Sequence, residues 1–491
     1  VQFLVFQDGK PARDFVLSGA YLFGMDMVPL RYVESITFRD GVIDCVRKGD
    51  DAAGLTLLWP VGEAGTFLLP TTRLPERPEP YILNVELARA RLMQITLKRE
   101  DWALFEEMDK FADLAHEAQA LFIQALQHIS DPSKASMLAD EAMKKGLLFS
   151  EKLSLRYAEQ YLALRFKNRG LGKHTLGCCI EPKRIEEERY SKCVTDMFSS
   201  VTVPVNWGQI AREKGKFDFS ALDSCIEYLA GKRMAINCGP LLCFEPDKMP
   251  GWLLEQKPEF EKVREQAYEF IGKIVSRYGK YVHFWTVISG MNAKNCFGFA
   301  YEQMIEMTRT ACLAAKSADA KGRRIIEIHS PWGEYYAREK MTIPPLIYAD
   351  VIIQSGISFD AFGLLLEFGK DQPGMHIRDL MQLSSRLDCF AVFSKPLHIT
   401  LSIPGGSADS SRAGVWRTPW DHSVQADWIE QFYKITLGRP FVSTVTYAHL
   451  VDGPDSMPSG GLVGADLTVR KAYMSIGKFQ KMILKTAAAP K

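Results

Sequence analysis

Several carboxylic acids stand where strand-like apolar runs stop. Glu245 closes G-P-L-L-C-F, Glu327 and Glu334 lie in I-I-E-I-H-S-P-W-G-E-Y-Y, Glu367 ends F-D-A-F-G-L-L-L, and Asp452 follows Y-A-H-L-V. Carboxyl groups brought together from different strands can act as general acid, general base or nucleophile in hydrolysis. The alternative use is structural, each acid paired with Arg309, Arg324, Arg378 or Lys395. Trp207, Trp332, Tyr335, Tyr336 and Tyr447 lie near the same runs and can either stack on a ring-shaped ligand or pack in a core. The nine histidines form no H-x-H or H-x-x-x-H pair and the ten cysteines no C-x-x-C, so no metal site is expected. The glycine-rich stretches Pro404 to Ser407 and Pro458 to Leu462 lack the G-x-x-x-x-G-K-S/T arrangement of a phosphate-binding loop, and no cofactor is expected. The 404–420 loop carries Ser407, Asp409, Arg412, Trp416, Arg417 and Trp420 and is long enough to cover a site.

Sixty basic against fifty-nine acidic residues leave a net charge of +1. That balance gives no general attraction for nucleic acid or an anionic membrane surface. No apolar run reaches the roughly 18 residues needed to span a bilayer. The scattered cysteines read as reduced core residues, so a cytoplasmic location is expected, although a leader removed before Val1 is compatible with this reading.

Elements able to position such groups follow from periodicity. Residues 1–80 read as short strands between Asp8-Gly9, Asp40-Gly41 and Gly62 to Gly65, which suggests a small β-sandwich. Pro75, Pro78 and Pro80 mark a boundary, and residues 81–168 take a helical period, with Asp131-Pro132 a break. This helical segment needs a partner for its apolar faces, either its own chain or a second copy in a homo-oligomer. From 169 to 491 strands and helices alternate, which indicates an α/β fold, a (β/α)8 TIM barrel with its chemistry at the strand ends.

Five phrases of this last part resemble glycoside hydrolase family 10, the xylanase family. They are V-P-V-N-W-G-Q-I-A-R-E-K-G-K-F-D-F-S-A-L-D from Val203, G-P-L-L-C-F-E-P-D-K-M-P-G-W-L from Gly239 and H-F-W-T-V-I-S-G from His283. The others are F-D-A-F-G-L-L-L-E from Phe359 and G-G-L-V-G-A-D-L-T-V-R-K-A-Y from Gly460. The resemblance implies a retaining glycosidase barrel, with an acid/base Glu ending strand four and a nucleophilic Glu ending strand seven. At those positions this sequence has Gly290 and Leu401, and neither can donate a proton or form a glycosyl ester. Asn206 is the one sugar-binding residue of the family kept at its motif position, and its other use is to fix a loop.

Three readings follow. The first is a non-hydrolytic, glycan-binding pseudo-glycosidase that holds its ligand with Asn206, Trp207, Trp332, Tyr447 and Asp452. The second is a glycoside hydrolase with relocated carboxylates, drawn from Glu245, Glu367 and Glu334. A Glu245 and Glu367 pair roughly 6.5–9.5 Å apart would suit an inverting reaction. The third is an assembly protein that uses the barrel as a scaffold.

Overall fold

In the computed structural model, which describes residues 1–102, 111–406, 410–453 and 456–488, eight parallel strands close on themselves. They are Leu176–Cys179, Ser200–Val203, Ala235–Cys238, Phe284–Ser289, Arg323–His329, Ala361–Glu367, Leu397–Ser402 and Val442–Tyr447. Each pairs with the next in sequence, and the eighth returns to the first through Val445 and Leu176. This is the (β/α)8 barrel expected from the sequence. A short piece of strand, Leu242–Cys243, extends the third strand beside the fourth.

Strand side chains alternate, so each strand has a face toward the helices and a face toward the barrel lumen. Val201, Val203, Ile236, Leu364, Leu366, Ile399, Leu401 and Val445 are fully buried in the apolar layer between strands and helices. The lumen is different. Ser200, Thr202, Asn237, Thr286, Glu327, His398, Thr400, Thr444 and Thr446 surround a space of about 20 Å³. Barrel interiors are usually filled by Val, Ile and Leu, so this lumen is unusually polar, and its space suffices for one water.

Two small sheets form the N-terminal part. One holds Val33–Arg39, Val42–Arg47, Gln2–Leu4 and Tyr81–Ile82; the other holds Gly65–Pro70, Gly54–Pro60, Tyr21–Phe23 and Val415–Trp416. Phe15 links them, its ring 5.8 Å from Phe38 and 5.7 Å from Trp59. Tyr81–Ile82, at the expected start of the helical segment, instead completes the first sheet as a parallel strand. Helices then run over Leu83–Asp101, Ala112–Gln127 and Pro132–Lys167. The last begins as the Asp131-Pro132 signal requires, with the Asp131 carboxylate accepting from the Lys134 N–H and proline in the first turn.

The helical segment lies on its own barrel. Arg91 forms a fully buried pair with Asp379, which caps the helix Leu380–Ala391. Arg165 donates to the carbonyls of Leu437, Arg439 and Val442 at 2.8–2.9 Å. Met93, Leu97, Ile123 and Leu148 remain exposed on this layer.

Among its described residues the 404–420 loop forms a strap against the N-terminal part. Val415–Trp416 pairs antiparallel with Thr66 and Gly65 of the second sheet. Both tryptophans are buried, and the Trp416 indole N–H donates to Glu151 of the helix Pro132–Lys167 at 3.0 Å. Burial pushes the Glu151 carboxyl up to about 7 even though Trp416 donates to it. Ser407 and Asp409 lie outside the described residues.

Candidate functional site

Glu327 is central to the lumen. It lies on strand five, and its carboxylate accepts from the Ser289 hydroxyl at 2.6 Å and the Thr400 hydroxyl at 3.2 Å. Gly363, opposite on strand six, makes room for it, since a β-carbon there would stand 3.0 Å from Glu327 Cβ. Burial pushes the Glu327 carboxyl up, against the two hydroxyl donors.

Ser289 faces the lumen because strand four bulges. Its register shifts between Thr286 and Ile288, so Thr286 and Ser289 share a face despite their odd spacing. Ser289 Oγ also lies 2.7 Å from His329 Nε2. Burial lowers His329 to about 4, with Glu245 opposing and Lys294 reinforcing that shift, so the ring is neutral at neutral pH. Its 4.0 Å approach to Glu327 is therefore not an ion pair. With Glu327 ionised, Nε2–H donates to Ser289 and Ser289 donates to Glu327. This is not a Ser-His-acid triad, because serine, not histidine, occupies the middle. Asn292 fixes the strand end by accepting from the His329 N–H at 3.2 Å and donating to its carbonyl at 2.9 Å.

The two positions implied to be catalytic are closed in different ways. Gly290 follows Ser289 at φ +68°, and a β-carbon on it would meet His329 Nδ1 at 2.7 Å. Leu401 is fully buried and alternates with lumen-facing Thr400, so it points at the helix layer. The lumen-facing positions at the end of strand seven are Thr400 and Ser402, and neither carries a carboxyl group.

At the rim, Glu245 pairs with Lys294 at 2.8 Å. Burial raises the Glu245 carboxyl, but hydrogen bonding and charge from Lys294 outweigh it, and the net shift is downward. Glu367 ends strand six and is partly buried. Among the described residues it has no hydrogen-bonding partner. Burial pushes it up; Lys370 and Lys294 oppose this, while Glu245 and Glu327 add to it. Glu245, Lys294, Glu327, His329 and Glu367 therefore form one electrostatic cluster at the strand ends, with two carboxyls shifted up and one down.

Other expected site residues lie elsewhere. Glu334 is buried in an ion pair with Arg378 and accepts from the Gly374 N–H, so it is structural. Asn206 caps a short helix by accepting from the Gln209 N–H at 3.1 Å, and it donates to the Asp247 carbonyl. Trp207 stacks on Phe270 in the core at 5.0 Å. Trp332 is buried between Phe368 and the Arg378 guanidinium. Tyr335 is buried and donates to the Ile343 carbonyl at 2.7 Å, whereas Tyr336 lies under Arg31. Tyr447 shares the outward face with Val445 and is fully buried beside Gln425 and Gly460. Asp452 is paired with Arg470. These aromatics do not form a sugar-stacking platform in this structure.

Sequence reasoning missed Ser289, Lys294 and His329 as site residues. The I-I-E-I-H alternation was the available signal, since it places Glu327 and His329 on one face. Among the described residues no group of three or more His, Cys, Asp or Glu side chains is arranged to hold a metal.

Residues 163–310 match the glycosyl hydrolase family 10 model. That stretch spans barrel strands one to four and three of the five family phrases. Among solved structures, native xylanase 10B from Thermotoga maritima aligns at 16% identity and a TM-score of 0.50, covering 67% of this chain and 99% of that one. The family 10 protein of Paenibacillus barcinonensis aligns at 18% identity and a TM-score of 0.50, covering 64% and 97%. At such identities the likeness is one of fold. No curated protein matches the sequence. The family 10 match ends before strand five, so Glu327, His329, Glu367 and Thr400 lie outside it.

Proposed function

We propose that this chain is a non-hydrolytic, glycan-binding relative of the family 10 barrels, with its ligand at the mouth formed by Glu245, Lys294 and Glu367. The observation that carries this reading is the geometry at residue 290. The His329 ring takes the space a side chain there would need, and the lumen end of strand seven offers only hydroxyls. The two-carboxylate mechanism of retaining enzymes therefore has no groups at these positions. The charged rim can still hydrogen-bond sugar hydroxyls, and the family match to strands one to four supports a carbohydrate ligand.

One observation favours hydrolysis by relocated groups. Glu367 is shifted toward its protonated form and Glu245 toward its ionised form. Divergent carboxyls of this kind can divide acid and base roles.

Calorimetric titration with xylo-oligosaccharides and other β-glycan oligomers, beside product analysis of the same mixtures, tests the reading. Binding without cleavage is expected. Cleavage that disappears in Glu245→Gln or Glu367→Gln would replace it with the hydrolytic reading. The absence of both would favour a scaffold, with self-association through the exposed helical residues the next thing to measure.

A further inference from the structure

A cavity opens at the opposite end of the barrel from the carboxylate cluster. It measures about 1040 Å³ and is walled by the loops that enter strands one, four, five and eight. Small-molecule sites usually measure roughly 300–1,000 Å³, whereas the N-terminal face of such barrels ordinarily serves stability. Basic groups line it: His174, Lys280, His283, Lys321 and Arg323, with Asp319 the acid among them. Asp319 is already engaged, accepting from the Trp285 indole N–H and the Lys321 backbone N–H.

Of the four permanent cations in the lining, Arg165 is held by the carbonyls of Leu437, Arg439 and Val442, and the other three are not neutralised. Among the described residues Lys280, Lys321 and Arg323 form no ion pair; Lys280 lies over Tyr281 and Arg323 over Phe284. They share the cavity wall with His174 and His283, and His283 is held below the ordinary histidine range first by burial, then by His174 and Arg323. The floor is Phe284 and Thr444, which also wall the lumen space below Glu327. A half-buried aromatic ring beneath Arg323, in a basin that Lys280 and Lys321 also line, suits a ligand with an organic body and a doubly charged head.

We propose that this basin binds a phosphorylated small molecule, with Lys280, Lys321 and Arg323 holding the phosphoryl group and Phe284 supporting the organic part. Arginine offers a fork of donors to phosphoryl oxygens, and lysine a mobile point charge. The site is separate from the proposed glycan mouth and does not depend on it.

The test is calorimetric titration of the full chain with pyrophosphate and with a hexose monophosphate, using unphosphorylated hexose and citrate as controls. Both phosphates should bind, with affinity falling about tenfold or more in Arg323→Ala and in Lys321→Ala, as expected when a hydrogen bond to a charged group is lost. Both side chains are exposed, so unchanged melting temperatures should accompany the loss. The histidine NMR titration of His283 should also move to higher pH when the hexose phosphate is bound, because the ligand offsets the charge of Arg323 and His174. Absence of phosphate binding, affinity unchanged in Arg323→Ala, or citrate binding as tightly as the phosphates would overturn the proposal.

Discussion

The His329 ring stands in the space that a side chain at residue 290 would occupy, 2.7 Å from where its β-carbon would lie. Gly290 also has φ +68°, where side-chain-bearing residues are strained. Gly290→Ala should therefore lose about 1–3 kcal/mol in urea denaturation. Gly290→Glu should lose at least as much and gain no hydrolysis of aryl glycosides. Turnover in Gly290→Glu would show that the ring yields and that the position remains usable.

Glu367 gives a pH signature. Its folded carboxyl is raised by burial, so the native state holds its proton more tightly than the unfolded chain does. Its stabilising contribution is complete below the unfolded carboxylate range and is lost as pH rises through the folded value. Glu367→Gln should thus melt higher than the parent at about pH 8 and close to it at about pH 4. Thermal melts across that range decide the matter, and a difference that grows toward acid would contradict the assignment.

Arg91 and Asp379 join the helical segment to the barrel through a pair with 2% and 0% exposure. Removing one partner of a buried pair typically costs about 3–5 kcal/mol. Arg91→Ala and Asp379→Ala should each approach that loss in denaturant titrations. Their double mutant should lose less than the sum, since neither charge then remains stranded.

Lys294 connects the rim acids, pairing with Glu245 and lowering Glu367 electrostatically. If the mouth binds glycan, Lys294→Met should weaken oligosaccharide binding by about tenfold, the scale of a lost charged hydrogen bond. Calorimetry against the parent measures it. Unchanged affinity would place the ligand elsewhere.

Sequence patterning reveals much of the barrel and less of its interior. The strand phrases predict strands two to eight, because apolar strands between amphipathic helices have few other solutions. D-V-I-I-Q, apolar enough to read as a further strand, instead ends the helix Pro345–Gln354, and the short first strand Leu176–Cys179 gives no comparable signal. V-S-T-V-T-Y shows that Tyr447 shares a face with Val445, away from the lumen. The same alternation in L-H-I-T-L-S puts Thr400 and Ser402, not Leu401, inside. A one-residue register shift reverses every such assignment, and the bulge after Thr286 reverses it within strand four without a glycine or proline to signal it. Trp207 and Trp332 illustrate the other limit: an aromatic near a strand end is as readily a core residue, and only packing partners such as Phe270 and Phe368 decide. The Trp416 to Glu151 bond joins residues too far apart in sequence for local patterning to reveal.

The strap has a consequence for how the chain is made. Gly65 and Thr66 pair with a strand roughly 350 residues downstream, so the second N-terminal sheet leaves the ribosome with one edge unpaired. Until Val415 and Trp416 emerge, the nascent chain carries an open row of backbone donors and acceptors beside Phe67, Leu68 and Leu69, the kind of surface that chaperones capture and aggregates extend.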